Sequence, residues 1–262
     1  MQIVIIGSGN VASVLGRLCK QRGHEILQVV SRNAAHAKLL ADELNCAYAD
    51  YNEKLNDSAG LYLLAIADTA LQELNKSISL GNRLILHTAG SVSKDVLKAI
   101  SHNYGVLYPL QSLRKEMEYQ TEIPFLIDGN TADTVTLVED FARTLSTNVT
   151  KTSDDERLKL HVAAVVVSNF TNHLYAMAED FCNKENVDFK LLTPLIKETA
   201  ERIQHFYPGA VQTGPAVRND IFTIDKHLLI LSNHPQLKDI YIKLTDSIMT
   251  SPLTPSPKGE GA

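Results

Sequence analysis

Six residues near the start of the chain, Gly7-Ser8-Gly9-Asn10-Val11-Ala12, have the types and spacing of a phosphate-binding turn. The pattern G-x-G-x-x-A follows an apolar run that reads as a strand, Ile3 to Ile6. It opens a stretch that reads as a helix, Val11 to Arg22. In that context Gly7 permits a tight turn, Gly9 lets a pyrophosphate approach the backbone, and Ala12 lets helix and strand pack closely. The free N–H groups and positive dipole end of the helix then face the phosphates. The alternative is a glycine turn that is only structural; the strand–turn–helix context weighs against it.

The end of the next strand selects among dinucleotides. Ile26 to Val30 is followed by Ser31-Arg32-Asn33, with no acid to take a ribose 2′-hydroxyl. A carboxylate would repel a 2′-phosphate, whereas Arg32 can pair with one in a bidentate way and Ser31 and Asn33 can donate to it. The residues therefore favour NADP over NAD, against the reading of Arg32 as a solvated loop residue. Farther on, Ala65-Ile66-Ala67-Asp68-Thr69 ends a strand at 61–66 and lines the same crevice. Ala65 and Ala67 are small enough for close passage of a cofactor, and Asp68 reads as the N-cap of a helix at 69–76 rather than as a catalytic acid. His87-Thr88-Ala89-Gly90-Ser91 follows the strand at 83–87 and falls near the nicotinamide end. His87 and Thr88 are its candidate polar groups, although a histidine at a strand end is more often structural.

Two further clusters lie in the second half. On a helix beginning at 154, a 3.6-residue period puts His161, Ser168 and Asn172 within about 20° of one line, with Asn169 about 80° to the side. Such a row suits an acid/base histidine and amides that orient a carbonyl or carboxylate. It suits equally a buried face with internally satisfied polar groups, or a dimer interface. Arg218-Asn219-Asp220 is followed by Thr223 and His227 at helical spacing. There Arg218 can hold an anionic substrate group and His227 can move a proton. Alternatively Asp220 is an N-cap paired with Arg218, and His227 faces solvent.

The elements that must position these groups alternate in the first half. Strands at 3–6, 26–30, 47–48, 61–66, 83–87, 106–108 and 125–127, with helices at 11–22 and 34–44, imply right-handed crossovers and a parallel sheet buried on both faces. After Lys151-Thr152-Ser153 the pattern is helical: about 154–183 with Ser153 or Asp154 as cap, 189–206, 221–233 and 236–249. The fold class is α/β: an N-terminal Rossmann domain over 1–150 and an all-α domain over 151–250. A Pro-, Gly- and Ser-rich tail at 251–262 reads as disordered.

Bulk composition sets limits. The 262 residues carry a net charge of −5 with scattered basic residues, which points away from nucleic acid and anionic membranes. The longest apolar run, Val162 to Val167, is too short to span a bilayer. The start, MQIVIIGSGN, has no signal-peptide pattern. Cys19, Cys46 and Cys182 have no metal-ligand spacing and read as reduced thiols of the cytoplasm.

Together the segments GSGNVA at 7–12, VVSRN at 29–33, HTAGS at 87–91, YPLQSL at 108–113 and GPAVRND at 214–220, followed by Thr223 and His227, carry a resemblance. The chain resembles the Rossmann-like oxidoreductase family that carries a C-terminal domain of unknown function, number 2520. That family is distantly similar to pyrroline-5-carboxylate reductase, 6-phosphogluconate dehydrogenase and the deazaflavin-dependent NADP reductases. The resemblance spans about 1–250 and implies a nucleotide-binding domain, a helical domain similar to the 6-phosphogluconate dehydrogenase C-terminal type, and a homodimer formed through it. The expected activity is hydride transfer between NADP(H) and a small carbonyl, imine or hydroxyl substrate. The alternative is an NADP-binding regulatory or scaffold protein without turnover. A deazaflavin-linked reductase is a third reading, and needs room for a second large cofactor. One departure matters: the related hydroxyacid dehydrogenases place Lys four residues before a catalytic Asn, and here Val165 precedes Asn169 and Ser168 precedes Asn172. The lysine acid/base of that chemistry is missing.

Overall fold

A computed structural model describes residues 1–72, 79–117 and 122–250. It divides into two compact units, 1–168 and 169–262.

The first unit is built on one eight-stranded sheet: β1 (Gln2–Ile6), β2 (Glu25–Val30), β3 (Ala47–Ala49), β4 (Leu61–Leu64), β5 (Gly81–His87), β6 (Ser101–Pro109), β7 (Phe125–Gly129) and β8 (Val149–Lys151). The order across the sheet is β3-β2-β1-β4-β5-β6-β7-β8. The chain leaves β1 toward β2 on one side and returns on the other as β4, so a switch point lies beside the carboxyl end of β1. Successive residues of β1 enter two different cores. Ile3 and Ile5 pack with α1 (Asn10–Gln21) and α2 (Ala34–Leu44), while Val4 and Ile6 pack with Tyr62, Leu64 and Ile85 on the opposite face. Burial on both faces is why these strands are apolar without alternation.

The sheet departs from the all-parallel expectation at one pair, because β7 runs antiparallel to β6. Leu110 N–H donates to the Pro124 carbonyl at 2.8 Å, so the chain turns back beside itself instead of crossing over. Helix α3 (Asp68–Gln72) is the described part of the helix expected at 69–76; its remainder lies outside the described residues, as does the 251–262 tail. Helix α4 (Ala132–Leu145) and strand β8 escaped the sequence reading.

Helix α5 (Asp154–Ala164) starts at a full capping box: Ser153 accepts from Glu156 N–H, and Glu156 accepts from Ser153 N–H. A π-helical segment, Val165–Phe170, follows, and then α6 (Thr171–Lys184). The boundary between the units falls within that segment. The remaining helices are α7 (Thr193–Arg202), α8 (Ile221–Ile230) and α9 (Pro235–Thr250). The single helix expected over 189–206 is instead a 3₁₀ turn, Phe189–Leu192, followed by α7. Pro194 sits in the first turn of α7, where its missing N–H costs nothing. Among the described residues, α7 and α9 bury no side chain fully, and no helix is long and apolar enough to cross a membrane.

Candidate functional site

The phosphate turn has the geometry its residues imply. Gly7 has φ +128, and a Cβ there would lie 2.1 Å from the Ala65 carbonyl oxygen. Only glycine satisfies both the backbone conformation and the approach of β4. Gly9 is the N-cap of α1, and a Cβ there would meet nothing within 4 Å, so its surface is open to a ligand. The first intrahelical bond is Ser13 N–H to the Gly9 carbonyl, at 3.0 Å. The N–H groups of Asn10, Val11 and Ala12 are thus left for an anion, and no acid occupies the first turn. Ala12 is fully buried and Val11 half-buried. Asn10 is exposed, and its Oδ1 accepts from Lys115 N–H at 3.4 Å. Ser8 Oγ donates to Ser31 Oγ at 2.9 Å, joining the turn to the end of β2.

At that end Arg32 is exposed, and its charge acts on the Tyr51 phenol. Asn33 caps α2: its Oδ1 accepts from Ala35 N–H at 2.9 Å and His36 N–H at 3.2 Å, leaving the amide nitrogen to donate outward. These residues fit a dinucleotide with a 2′-phosphate. The helix end is open, one guanidinium is available, and Ser31-Arg32-Asn33 contains no carboxylate.

Beyond β4, Ala65 is buried, Ile66 half-buried and Ala67 exposed. Asp68 is the first residue of α3 rather than a cap before it, and its carboxylate accepts from Ser91 Oγ. His87 and Thr88 are turned into protein. Thr88 N–H and Oγ1 both donate to the Leu64 carbonyl, at 3.1 and 3.3 Å. His87, 0% exposed, accepts from Ala89 N–H at Nδ1, which puts the ring proton on Nε2. Burial pushes its pKa down to about 4; nearby Arg157 pushes the same way, and Asp154, Asp68 and the Ser93 backbone push back.

Among the described residues of the first unit, one hydrogen-bonded pair is suited to proton transfer. Tyr108, near the carboxyl end of β6, and His161, on α5, share a 2.9 Å hydrogen bond between Oη and Nδ1, with their rings edge to face. Both pack on Gly90. Burial raises the Tyr108 phenol above its ordinary value, and Asp68 adds to the rise, while Arg157 opposes it. Arg157, one turn before His161 on α5, ties that helix to Val92. Arg157 is 1% exposed; its Nη2 donates to the Val92 carbonyl and to Asp154 Oδ1. Asp154 also accepts from Ser93 Oγ. Arg157 Nε and Nη1 have no partner among the described residues. Tyr108 and Arg157 were missed by the sequence reading. Tyr108 was detectable from its place at a strand's carboxyl end, but nothing local distinguishes a buried Arg157 from a surface arginine.

In the second unit, Asn169 and Asn172 are exposed. The π segment interrupts the regular helix on which the expected alignment of Ser168 and Asn172 with His161 depends. Its i→i+5 bonding abandons the 3.6-residue period, so the row does not continue past Val165. Asp220 is the N-cap of α8, accepting from Thr223 N–H at 3.1 Å and Thr223 Oγ1 at 2.7 Å. Those bonds hold its carboxyl below the ordinary range, with help from Arg218 and His227. Arg218 is exposed, Asn219 has φ 55, and His227 Nδ1 bonds Tyr241 Oη at 2.8 Å. Asp220 thus caps α8, which carries Thr223 and His227, and Tyr241 of α9 bonds His227.

Two family models match the chain: "NADP oxidoreductase coenzyme F420-dependent" over residues 2–90, and a domain of unknown function, number 2520, over 123–248. Among solved structures, a candidate NADP oxidoreductase of Bacteroides fragilis, BF3122, is 35% identical, with a TM-score of 0.90 over 95% of this chain and 98% of that one. A 1-pyrroline-5-carboxylate reductase of Streptococcus pyogenes is 17% identical, with a TM-score of 0.62 over 96% and 99% of the two chains. A reductive aminase of Aspergillus terreus, solved with NADPH and ethyl-5-oxohexanoate, is 13% identical, with a TM-score of 0.70 over 97% and 96%. No curated protein matches the chain.

Proposed function

This chain belongs to the NADP oxidoreductase family in which a Rossmann domain precedes the domain of unknown function 2520. From that premise we propose that it passes hydride between NADP(H) and a small carbonyl, imine or hydroxyl substrate, with Tyr108 and His161 handling the proton. The observation that carries this reading is the Tyr108 Oη to His161 Nδ1 bond against Gly90, at the carboxyl ends of the same parallel strands that carry the phosphate turn.

Bound NADPH would supply the hydride. The N–H groups at the start of α1 bind the pyrophosphate, and Arg32 takes the 2′-phosphate. In the reducing direction Tyr108 Oη gives its proton to the substrate oxygen or nitrogen and regains one from His161 Nδ1. The raised phenol stays protonated at neutral pH and so remains an acid until the reacting atom becomes basic. In this reading His87 is a neutral strut beneath the site. Arg218, His227, Asn169 and Asn172 remain candidate substrate-binding residues of the second unit taken by itself.

We also propose a homodimer. What supports it is that the second unit exposes Phe222 at 71% and Leu229 at 75%, with Phe170 and Phe206 also uncovered, large apolar side chains of the kind an interface covers. We place the protein in the cytoplasm, where its three free thiols remain reduced. The deciding experiment is an NADPH titration against NADH, followed by cofactor consumption over a carbonyl and imine panel with wild type and His161→Ala. Binding without turnover on any substrate would favour the scaffold alternative.

A further inference from the structure

Among the described residues, the charges that act on the Tyr108 phenol are Asp68 and Arg157, and of these Asp68 is the one without an ion-pair partner. Arg157 faces Asp154 at 2.7 Å, and Lys94 faces Asp128 at 2.7 Å. Asp68 has no cation within ion-pair distance among the described residues and takes only the Ser91 hydroxyl. It stands close to the pair through a short run of contacts: Asp68 bonds Ser91, Ser91 adjoins Gly90, and Gly90 touches both His161 and Tyr108.

We propose that Asp68 is the specificity-determining residue of this site, its uncompensated carboxylate selecting a substrate whose reacting group is a protonated imine. The inference rests on the reductase reading and narrows it. The charge of Asp68 is felt at Tyr108, where it adds to the effect of burial on the phenol. A carbonyl under hydride attack develops negative charge on oxygen, which a nearby carboxylate destabilises. A protonated imine is positive before attack and neutral after it. A carboxylate stabilises that cation and raises its pKa, keeping it in the reactive form. The step balances: the imine nitrogen takes a proton from Tyr108 Oη, the imine carbon takes hydride from NADPH, the C=N π bond is lost, and amine and NADP⁺ result. Asp68→Asn and Asp68→Ser remove the charge and keep a polar side chain beside the Ser91 hydroxyl.

The test compares wild type, Asp68→Asn and Asp68→Ser on two five-membered rings, 1-pyrroline and cyclopentanone, with NADPH. Binding of pyrrolidine and of cyclopentanol is titrated in parallel into each protein loaded with NADP⁺, and thermal unfolding confirms that the variants fold. The expected result is a loss of tenfold or more in kcat/KM for 1-pyrroline with none for cyclopentanone, and a matching loss of pyrrolidinium but not cyclopentanol binding. Equal effects on both members of either pair, or a wild type that does not prefer pyrrolidinium to cyclopentanol, would overturn the proposal. A protein that prefers pyrrolidinium through Asp68 yet turns over neither ring would uphold the charge selection and sink the reductase reading.

Discussion

Gly90 lies against both Tyr108 and His161: a Cβ there would come within 2.6 Å of His161 Nδ1 and 2.9 Å of Tyr108 Cζ. A methyl group at this position must push the two rings apart or displace the 87–91 segment. Gly90→Ala is therefore expected to lower kcat by about 100-fold, the scale of a misplacement near 1 Å, while leaving NADPH affinity within about twofold. Steady-state kinetics with a cofactor titration on the same protein check this. Unchanged kcat would show that the pair is not used.

The two glycines of the phosphate turn should respond in opposite ways. Gly7→Ala meets the Ala65 carbonyl and an unfavourable φ, and should destabilise the fold by at least ~1–3 kcal/mol. Gly9→Ala has open space and should leave the melting temperature nearly unchanged, yet weaken NADPH binding by blocking the approach of the pyrophosphate. Thermal unfolding and cofactor titration separate the two effects.

Arg32 is the one basic residue in the segment that follows β2, Ser31-Arg32-Asn33. A hydrogen bond to a charged group contributes roughly 1.5–3 kcal/mol, so Arg32→Ala should cost NADPH about 10- to 150-fold in affinity. NADH should bind the variant as it binds wild type. With no tryptophan in the chain, cofactor fluorescence reads both titrations cleanly. Equal losses for both cofactors would remove the 2′-phosphate assignment.

His87 links stability to pH. Its folded pKa is about 4 against an ordinary 6.5, so the unfolded chain binds the proton more readily. The stabilisation is present above pH 6.5 and is lost as pH falls toward 4, with a total on the order of 3 kcal/mol. Asparagine retains an acceptor for Ala89 N–H without titrating. Urea unfolding of His87→Asn between pH 7 and 4 should therefore show a shallower decline than wild type, and identical slopes would contradict the linkage.

The exposed apolar side chains of α8 should be covered by a second copy of the chain. Sedimentation of wild type is expected to give twice the chain mass, and Phe222→Asp with Leu229→Asp to give the monomer. A monomeric wild type would require another occupant for that face.

Much of the first unit was readable because its signals are local. The turn at 7–12 needs only residues adjacent in sequence, and strands buried on both faces appear as short apolar runs wherever they pair. The antiparallel β6–β7 pair was not readable, because strand direction is set by how the chain returns. The helical half was read correctly as helical and incorrectly in phase, since a π turn at Val165–Phe170 leaves no mark in residue type.

By itself the sequence determined the dinucleotide turn, the absence of an acid after β2, and the change from alternating to helical chain near residue 150. Only the tertiary structure decided which polar residues meet. His161 was one of several candidates until α5 brought it to Tyr108, 53 residues away, over a glycine that makes room for both. His87, expected only as a polar group near the nicotinamide end, lies fully buried, and burial takes away its readiness to accept a proton. Reactivity depends on neighbours and on solvent, and residues far apart in the chain supply the neighbours and exclude the water.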